Sequence, residues 1–280
     1  MKVRCWGARG SVPVSGREYL RYGGDTACLE IRTKNDVVLI LDAGTGIRAL
    51  GDELACQGRE ELTLLLSHFH WDHIQGLPFF KPLYNPALRL SLGASQGAQR
   101  DITRVLGQAF RPPVFPVPFA KLPAQVTTIG FKGDVLRLDS LVIRSIPISH
   151  PNRGLGFRIE EGGRSLVYLT DNELSLRHRG GGVFEDYAAF CKGADLLIHD
   201  AEYTPEEYPQ RRGWGHSHFA DAARLANVAG VGALGLFHHN QARTDQAEDE
   251  LLERCRELLP NSGGPRCVAL AQGWEMELSG

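Results

Sequence analysis

Ser67-His68-Phe69-His70-Trp71-Asp72-His73 follows directly on the apolar run Leu62-Thr63-Leu64-Leu65-Leu66 and sets three histidines and a carboxylate within six positions. An apolar run of that length reads as a buried strand. In the extended chain that leaves it, residues two apart point the same way. His68 and His70 therefore present their imidazoles to one ion, Phe69 turns toward the core, and Asp72 and His73 lie past the turn, placed for a second ion. Imidazole and carboxylate together suit zinc, manganese or iron; zinc is taken first, although no thiolate is at hand to narrow the choice. The competing reading is a histidine-rich surface loop. Four ligand-type residues at His-x-His-x-Asp-His spacing behind a buried strand weigh against it.

This motif resembles the signature of the metallo-β-lactamase superfamily, in its ribonuclease Z-like, phosphodiesterase-like branch. That pattern implies a distant histidine, a bridging aspartate and a last histidine, each at a strand end. Candidates stand at His150 behind Leu141–Ile148, at Asp171 behind Ser165–Thr170, and at His238 behind Leu234–Phe237. The resemblance implies one metal held by His68, His70 and His150, a second held by Asp72, His73 and His238, and Asp171 between them. Within the pair His238-His239, His238 follows its strand directly and matches the pattern better. The resemblance further implies a general acid histidine oriented by a carboxylate. Carried over, His216 is the proton donor and Asp200 its orienter, an Asp where ribonuclease Z usually has Glu, while His199 and His218 are structural. Asp72, besides binding metal, is expected to accept a hydrogen bond from the attacking water.

The fold that follows is α/β (α+β): a four-layer αββα sandwich with two mixed β-sheets. Periodicity alone supports only mixed α/β content, in two strand-rich halves each followed by helices. The 280 residues, 42% of them hydrophobic, suffice for one large domain. Ligand candidates spread from His68 to His238 favour a single domain over residues 1–280.

A net charge of −2 and a pI near 6.6 leave no overall basic field to draw in long nucleic acid. The start of the chain lacks the apolar stretch of a signal peptide, and no run is long enough to span a bilayer, so a cytoplasmic location is expected. The six cysteines form no Cys-x-x-Cys pair and read as free, mostly buried thiols.

Other stretches carry two readings each. The glycine-rich segment Gly7 to Thr26 is turn chemistry or, by the resemblance, a loop approaching the metals from below. Asp42, at the end of Val37–Leu41, caps the helix that starts near Ile47 or steadies a ligand histidine; capping is the expectation. Ile74–Phe80 reads as a short helix, Gln99–Phe110 as a longer one, and Ser217 as the N-cap of a helix over Phe219–Ala229. Thr244–Leu259 is amphipathic. The proline-punctuated Arg111–Phe119 is a packed connector or a pocket wall with Arg111 open to a phosphate.

Residues 151–170 leave room only for a hairpin and 172–198 for little more, whereas ribonuclease Z carries an extended arm that grips transfer RNA. The expected activity is therefore hydrolysis of a small or cyclic phosphodiester by water activated between two divalent ions. Nucleic acid is a less favoured substrate. The alternatives are a thioester or lactam hydrolase of the same superfamily, a transfer-RNA 3′ endonuclease, and a non-catalytic metal-binding sensor. The resemblance also implies a homodimer.

Overall fold

The computed structural model describes residues 1–94, 96–131 and 133–279. They form two seven-stranded sheets. The first takes β1 (Lys2–Gly7), β2 (Cys28–Arg32), β3 (Val38–Leu41), β4 (Glu61–Leu65), β5 (Arg89–Gly93), β6 (Gln125–Ile129) and, returning at the end of the chain, β14 (Glu275–Glu277). Its order is β14-β1-β2-β3-β4-β5-β6. The second takes β7 (Val135–Leu138), β8 (Leu141–Pro147), β9 (Leu155–Glu161), β10 (Arg164–Leu169), β11 (Leu196–Asp200), β12 (Ala233–Phe237) and β13 (Arg266–Ala269), in the order β13-β12-β11-β10-β9-β8-β7. Both sheets are mixed: β3 to β6 and β10 to β13 run parallel, and the remaining neighbours antiparallel.

Strand alternation builds the layers. Leu39 and Leu41 of β3 turn inward and pack with Leu65, Phe157, Leu166, Tyr168, Ile198 and Phe237 in a core shared by the two sheets. Val38 and Ile40, one position out of phase, turn outward onto Ile47, Leu50 and Leu54 of α1 (Ile47–Cys56), and the same outer layer takes Ile102 and Leu106 of α2 (Gln96–Ala109). On the opposite face, Val167, Leu169, Leu197 and Leu234 pack against α3 (Phe184–Cys191), α4 (Phe219–Ala229) and α5 (Asp245–Glu257). Helix, sheet, sheet and helix are stacked in that order, as expected for the αββα sandwich.

Several local expectations change. Ile74–Phe80 is not a regular helix: single 3-10 turns at Trp71–His73, Leu77–Phe79 and Lys81–Tyr84 carry the chain across α1. The proline-punctuated segment is a packed connector, with Phe115 edge-on to Phe110 and Phe79 and with Arg111 exposed. Residues 155–169 are indeed only the β9–β10 hairpin, and α3 occupies part of the following stretch. Cys56 is exposed while Cys5, Cys28, Cys191, Cys255 and Cys267 are buried, and none is in a disulfide. Among the described residues no helix is long and apolar enough to cross a membrane.

Parallel strands end together, and crevices form where they end. The residues just beyond β3, β4, β10, β11 and β12 are Asp42, His68, Asp171, Glu202 and His238. Asp42, Asp171 and His238 have positive φ, at 61°, 51° and 60°. Left-handed backbone is uncommon outside glycine and gathers where function holds it in place. Here it turns each chain sharply as it leaves its strand, so that the side chains point to one place.

Candidate metal centre

Seven side chains singled out in the sequence converge at these strand ends. His68, His70, His150 and Asp171 bring one donor atom each to within 4.8 Å of one another, and Asp72, His73 and His238 form a neighbouring group on the same criterion. Asp171 faces both groups. Its Oδ2 lies 3.5 Å from His68 Nε2 and 3.7 Å from His150 Nε2, and its Oδ1 lies 3.2 Å from His73 Nε2 and 3.4 Å from His238 Nε2. Donors bound about 2.0–2.1 Å from a tetrahedral ion stand roughly 3.3–3.4 Å apart, close to these separations.

Unsatisfied atoms make the same point. His68 Nε2 and His73 Nε2 are buried without a hydrogen-bond partner, although buried polar atoms are ordinarily paired. His70 Nδ1 and His150 Nε2 meet at 2.9 Å. A divalent cation on each side of Asp171 would satisfy all of these groups, so the residues present fit a pair of metal ions.

Outer contacts fix how each imidazole is presented. Metal-binding histidines pass their other ring N–H to a carboxylate or carbonyl, which sets the tautomer. His73 Nδ1 donates to Asp42 Oδ2 at 2.9 Å, His238 Nδ1 to Glu202 Oε2 at 3.0 Å, and His150 Nδ1 to the Gly215 carbonyl at 2.9 Å. His68 Nδ1 lies 3.0 Å from Ser67 Oγ, which itself donates to Asp42 Oδ2 at 2.8 Å. Asp42 thus steadies a histidine of each group. It does not cap α1, whose N-cap is Gly46 without a side-chain cap bond. The carboxylate has four donors around it, two from Ser67, one from His73 and one from Tyr168, and none is left for a helix end.

Two glycines let the main chain come close enough. A Cβ on Gly10 would sit 2.3 Å from His238 Nδ1, and one on Gly215, whose φ is +96°, would sit 2.1 Å from His150 Nδ1. The glycine-rich loop after β1 therefore reaches the site, and beside Gly10 the Ser11 N–H donates to Asp72 Oδ2 at 2.8 Å.

Charge is divided unevenly. Burial pushes His68 well below the usual histidine range, and it brings His150 down to about 3. Both imidazoles are neutral, the state that binds metal. Burial opposes protonation of His73 and His238 too, yet Asp171 and their other carboxylate neighbours lift both well above that range.

His216 lies at the edge of the cluster. Its Nδ1 is 2.6 Å from Asp200 Oδ2 and 3.4 Å from Glu202 Oε2, which leaves Nε2 outside these contacts. The shorter reach of Asp is no obstacle to this pairing. Burial works against a charged His216, but Glu202 and Asp200 raise it to about 9. His239 is elsewhere, with Nε2 donating to the Leu270 carbonyl at 2.7 Å and Nδ1 facing Glu248 at 2.9 Å. His199 is fully buried against the Asp200 carbonyl and Asn172. His218, not Ser217, caps α4 by accepting from the Asp221 N–H, while the Ser217 hydroxyl donates to the Asn172 carbonyl.

Sequence reasoning passed over Glu202. It is 2% exposed and shared between His238 and His216. The signal was present, since residues two apart at a strand end face the same way and Glu202 follows Asp200 by two.

The fold and this site define a β-lactamase-type hydrolase scaffold whose His/Asp cluster suits divalent metal ions. Residues 38–239 match the family described as the beta-lactamase superfamily domain, and the chain belongs to that superfamily of metal-dependent hydrolases. Ribonuclease Z of Lacticaseibacillus casei is 27% identical over 308 positions, covering 94% of this chain and 92% of the relative. The metallo-β-lactamase fold protein YhfI of Bacillus subtilis superposes with a TM-score of 0.73 at 20% identity, over 98% of each chain. A diphosphatase of the PhnP family superposes with a TM-score of 0.68 at 18% identity, over 99% of this chain and 98% of the other.

Proposed function

We propose that the protein is a two-metal phosphodiesterase acting on a small or cyclic phosphodiester, with His216 as proton donor to the leaving oxygen. The observation that carries this reading is the juxtaposition of two donor groups that meet at Asp171 with an Asp200–His216 pair that adjoins Asp171 and His238, the His216 Nδ1 being turned to Asp200. A hydrolase that cleaves an acyl bond needs the first feature and has no need of the second.

His68, His70 and His150 would hold one ion, Asp72, His73 and His238 the other, and Asp171 both. The donor set suits zinc, or manganese or iron in its place. When bound, two such ions lower the pKa of a water between them and neutralise charge building on the phosphoryl oxygens. The protein's own groups do the rest. Asp72, held by the Ser11 N–H, would accept a hydrogen bond from the attacking water and orient it. Asp200 and Glu202 keep His216 protonated near neutral pH, so that it has a proton to give to a departing alkoxide. Asp42, Glu202 and the Gly215 carbonyl hold the imidazoles in one tautomer and orientation throughout.

The alignment with ribonuclease Z runs to 308 positions, more than the 280 residues available here, so the ribonuclease carries inserted segments without counterpart in this chain. With a net charge of −2 as well, we place a small diester ahead of RNA. The likeness to ribonuclease Z over 94% of the chain favours RNA as the second reading.

Protein stripped of metal and reloaded with zinc or manganese should hydrolyse bis(p-nitrophenyl) phosphate only when loaded. It should prefer that diester to nitrocefin and to an acyl thioester. Turnover of the acyl substrates alone by the loaded protein would refute the reading, and preference for an RNA 3′ extension over cyclic nucleotides would replace the small substrate by RNA.

A further inference from the structure

Two residues beyond Asp171, Glu173 is 1% exposed, and the partners of its carboxylate lie outside the seven converging side chains. Its carboxylate nevertheless receives four donors. Tyr208 OH and the Gly213 N–H reach Oε1, each at 2.7 Å; the Gly215 N–H and His178 Nε2 reach Oε2 at 2.8 and 2.7 Å. Its own N–H donates to the Ser149 carbonyl at 2.9 Å, one residue before His150. Through its carboxylate and its main-chain N–H, Glu173 thus fastens together the segments that lead into His150, out of Asp171 and into His216. Burial alone would raise this carboxyl, but the bonds from Gly213, His178, Tyr208 and Gly215 hold it below its ordinary range.

The bond to Gly215 carries furthest. Gly215 presents its carbonyl to His150 Nδ1 at 2.9 Å, at a position where a Cβ would collide with that ring. From the geometry we infer that Glu173 is a positioning residue for the metal centre: it anchors Gly215, Gly215 orients His150, and the affinity of the ion beside His68, His70 and His150 depends on that chain of contacts. The other donor group, Asp72, His73 and His238, takes its outer contacts from Ser11, Asp42 and Glu202 and lies off this path.

Only a carboxylate serves here, because all four partners donate. Glutamine has the same shape but one acceptor oxygen, and its amide nitrogen must face either Oε1's partners or Oε2's. Tyr208 can turn its hydroxyl and His178 can change tautomer, whereas the N–H groups of Gly213 and Gly215 are fixed in the main chain. Gly215 loses its partner in one orientation and Gly213, two residues before it, in the other, so either way a main-chain anchor of the short loop that presents the Gly215 carbonyl to His150 is lost.

The test is a zinc titration against a chromophoric chelator, with no substrate present, so it stands or falls apart from the phosphodiesterase reading while resting on the metal centre that reading assumes. Glu173→Gln should weaken one of two zinc affinities by about 10–100-fold, the usual effect of removing an outer contact of a ligand, and leave the other within about threefold. Tyr208→Phe, which keeps both main-chain bonds, should leave both within about threefold. In a His150→Ala background, Glu173→Gln should cost no further affinity, since the path runs through His150. Gly215→Ala, which breaks the path with Glu173 intact, should reproduce the one-ion loss and covers the case in which Glu173→Gln folds poorly. Wild-type affinities in Glu173→Gln, an equal weakening of both ions, or a full further loss on top of His150→Ala would each overturn the assignment.

Discussion

Replacing Asp42 by asparagine should weaken both metal ions at once. Asp42 is fully buried, and its carboxylate accepts from Ser67 N at 2.7 Å on Oδ1 and, on Oδ2, from Ser67 Oγ and Tyr168 OH at 2.8 Å and His73 Nδ1 at 2.9 Å. An amide in its place does least harm with its nitrogen at the Oδ1 position, where it confronts only the Ser67 N–H. That buried donor is then unpaired, at about 1–3 kcal/mol. The amide oxygen keeps the three Oδ2 bonds, but His73 loses its anionic partner and the Ser67–His68 relay ends on a neutral oxygen in place of a carboxylate. Outer contacts of this kind are worth about 10–100-fold in metal affinity, or about 1.4–2.8 kcal/mol. Because the same bonds serve folding and metal binding, the two costs overlap and do not add. Urea unfolding of the metal-free protein should show a loss of about 1–3 kcal/mol, and chelator competition should show both zinc affinities reduced. Tyr168→Phe removes one donor and leaves His73 on Asp42, so it should destabilise by about 1 kcal/mol with affinities within about threefold. Wild-type affinity for both ions in Asp42→Asn would refute the relay.

Further outcomes follow from the same geometry. Asp171→Ala should abolish tight binding of both ions and all turnover, read by metal analysis after dialysis; a metal-loaded active variant would sink its bridging role. His216→Ala should keep both ions but lose turnover most with alkyl esters and least with nitrophenyl esters, whose leaving groups need no proton; an equal loss with both would remove the general acid. The proton on His216, held up to about 9 by Glu202 and Asp200 against burial, is present below that pH and lost above it. Asp200→Asn removes one of those charges, so the alkaline limb of kcat/KM should move to lower pH; an unmoved limb would mean that another group supplies the proton. Gly10→Ala should drive His238 out of place, at 2.3 Å from its ring, and lower the affinity of one ion by about tenfold or more; two ions bound as in wild type would show that the loop yields freely.

The sequence announced the donors more clearly than what holds them. His68, His70, Asp72 and His73 lie within six positions behind β4, and His150, Asp171 and His238 each follow an apolar run, so strand ends and ligand types coincide in plain view. Of the fold, periodicity showed only mixed α/β content, with β3 and β4 as continuous buried runs; the four layers were implied by the family resemblance that the donors carried. Outer contacts are harder to read because they join distant segments. Asp42 meets Tyr168 from the other sheet, and Glu173 meets Gly213 and Gly215 across an entire strand and helix. Locally, Asp42 before Gly-Thr-Gly looks like a cap, and only the positive φ that turns it inward decides otherwise. Weakly patterned pieces such as α3 and the short strands β13 and β14 went unmarked because their neighbours, not their own periodicity, give them their form.

The most direct test of the central claim is anomalous scattering from crystals of the protein reloaded with zinc. The account predicts two peaks about 3.5–4 Å apart, one beside His68, His70 and His150 and the other beside Asp72, His73 and His238, with Asp171 between them and His216 bound to neither. A single peak, or a peak held by Asp200 and His216, would contradict it.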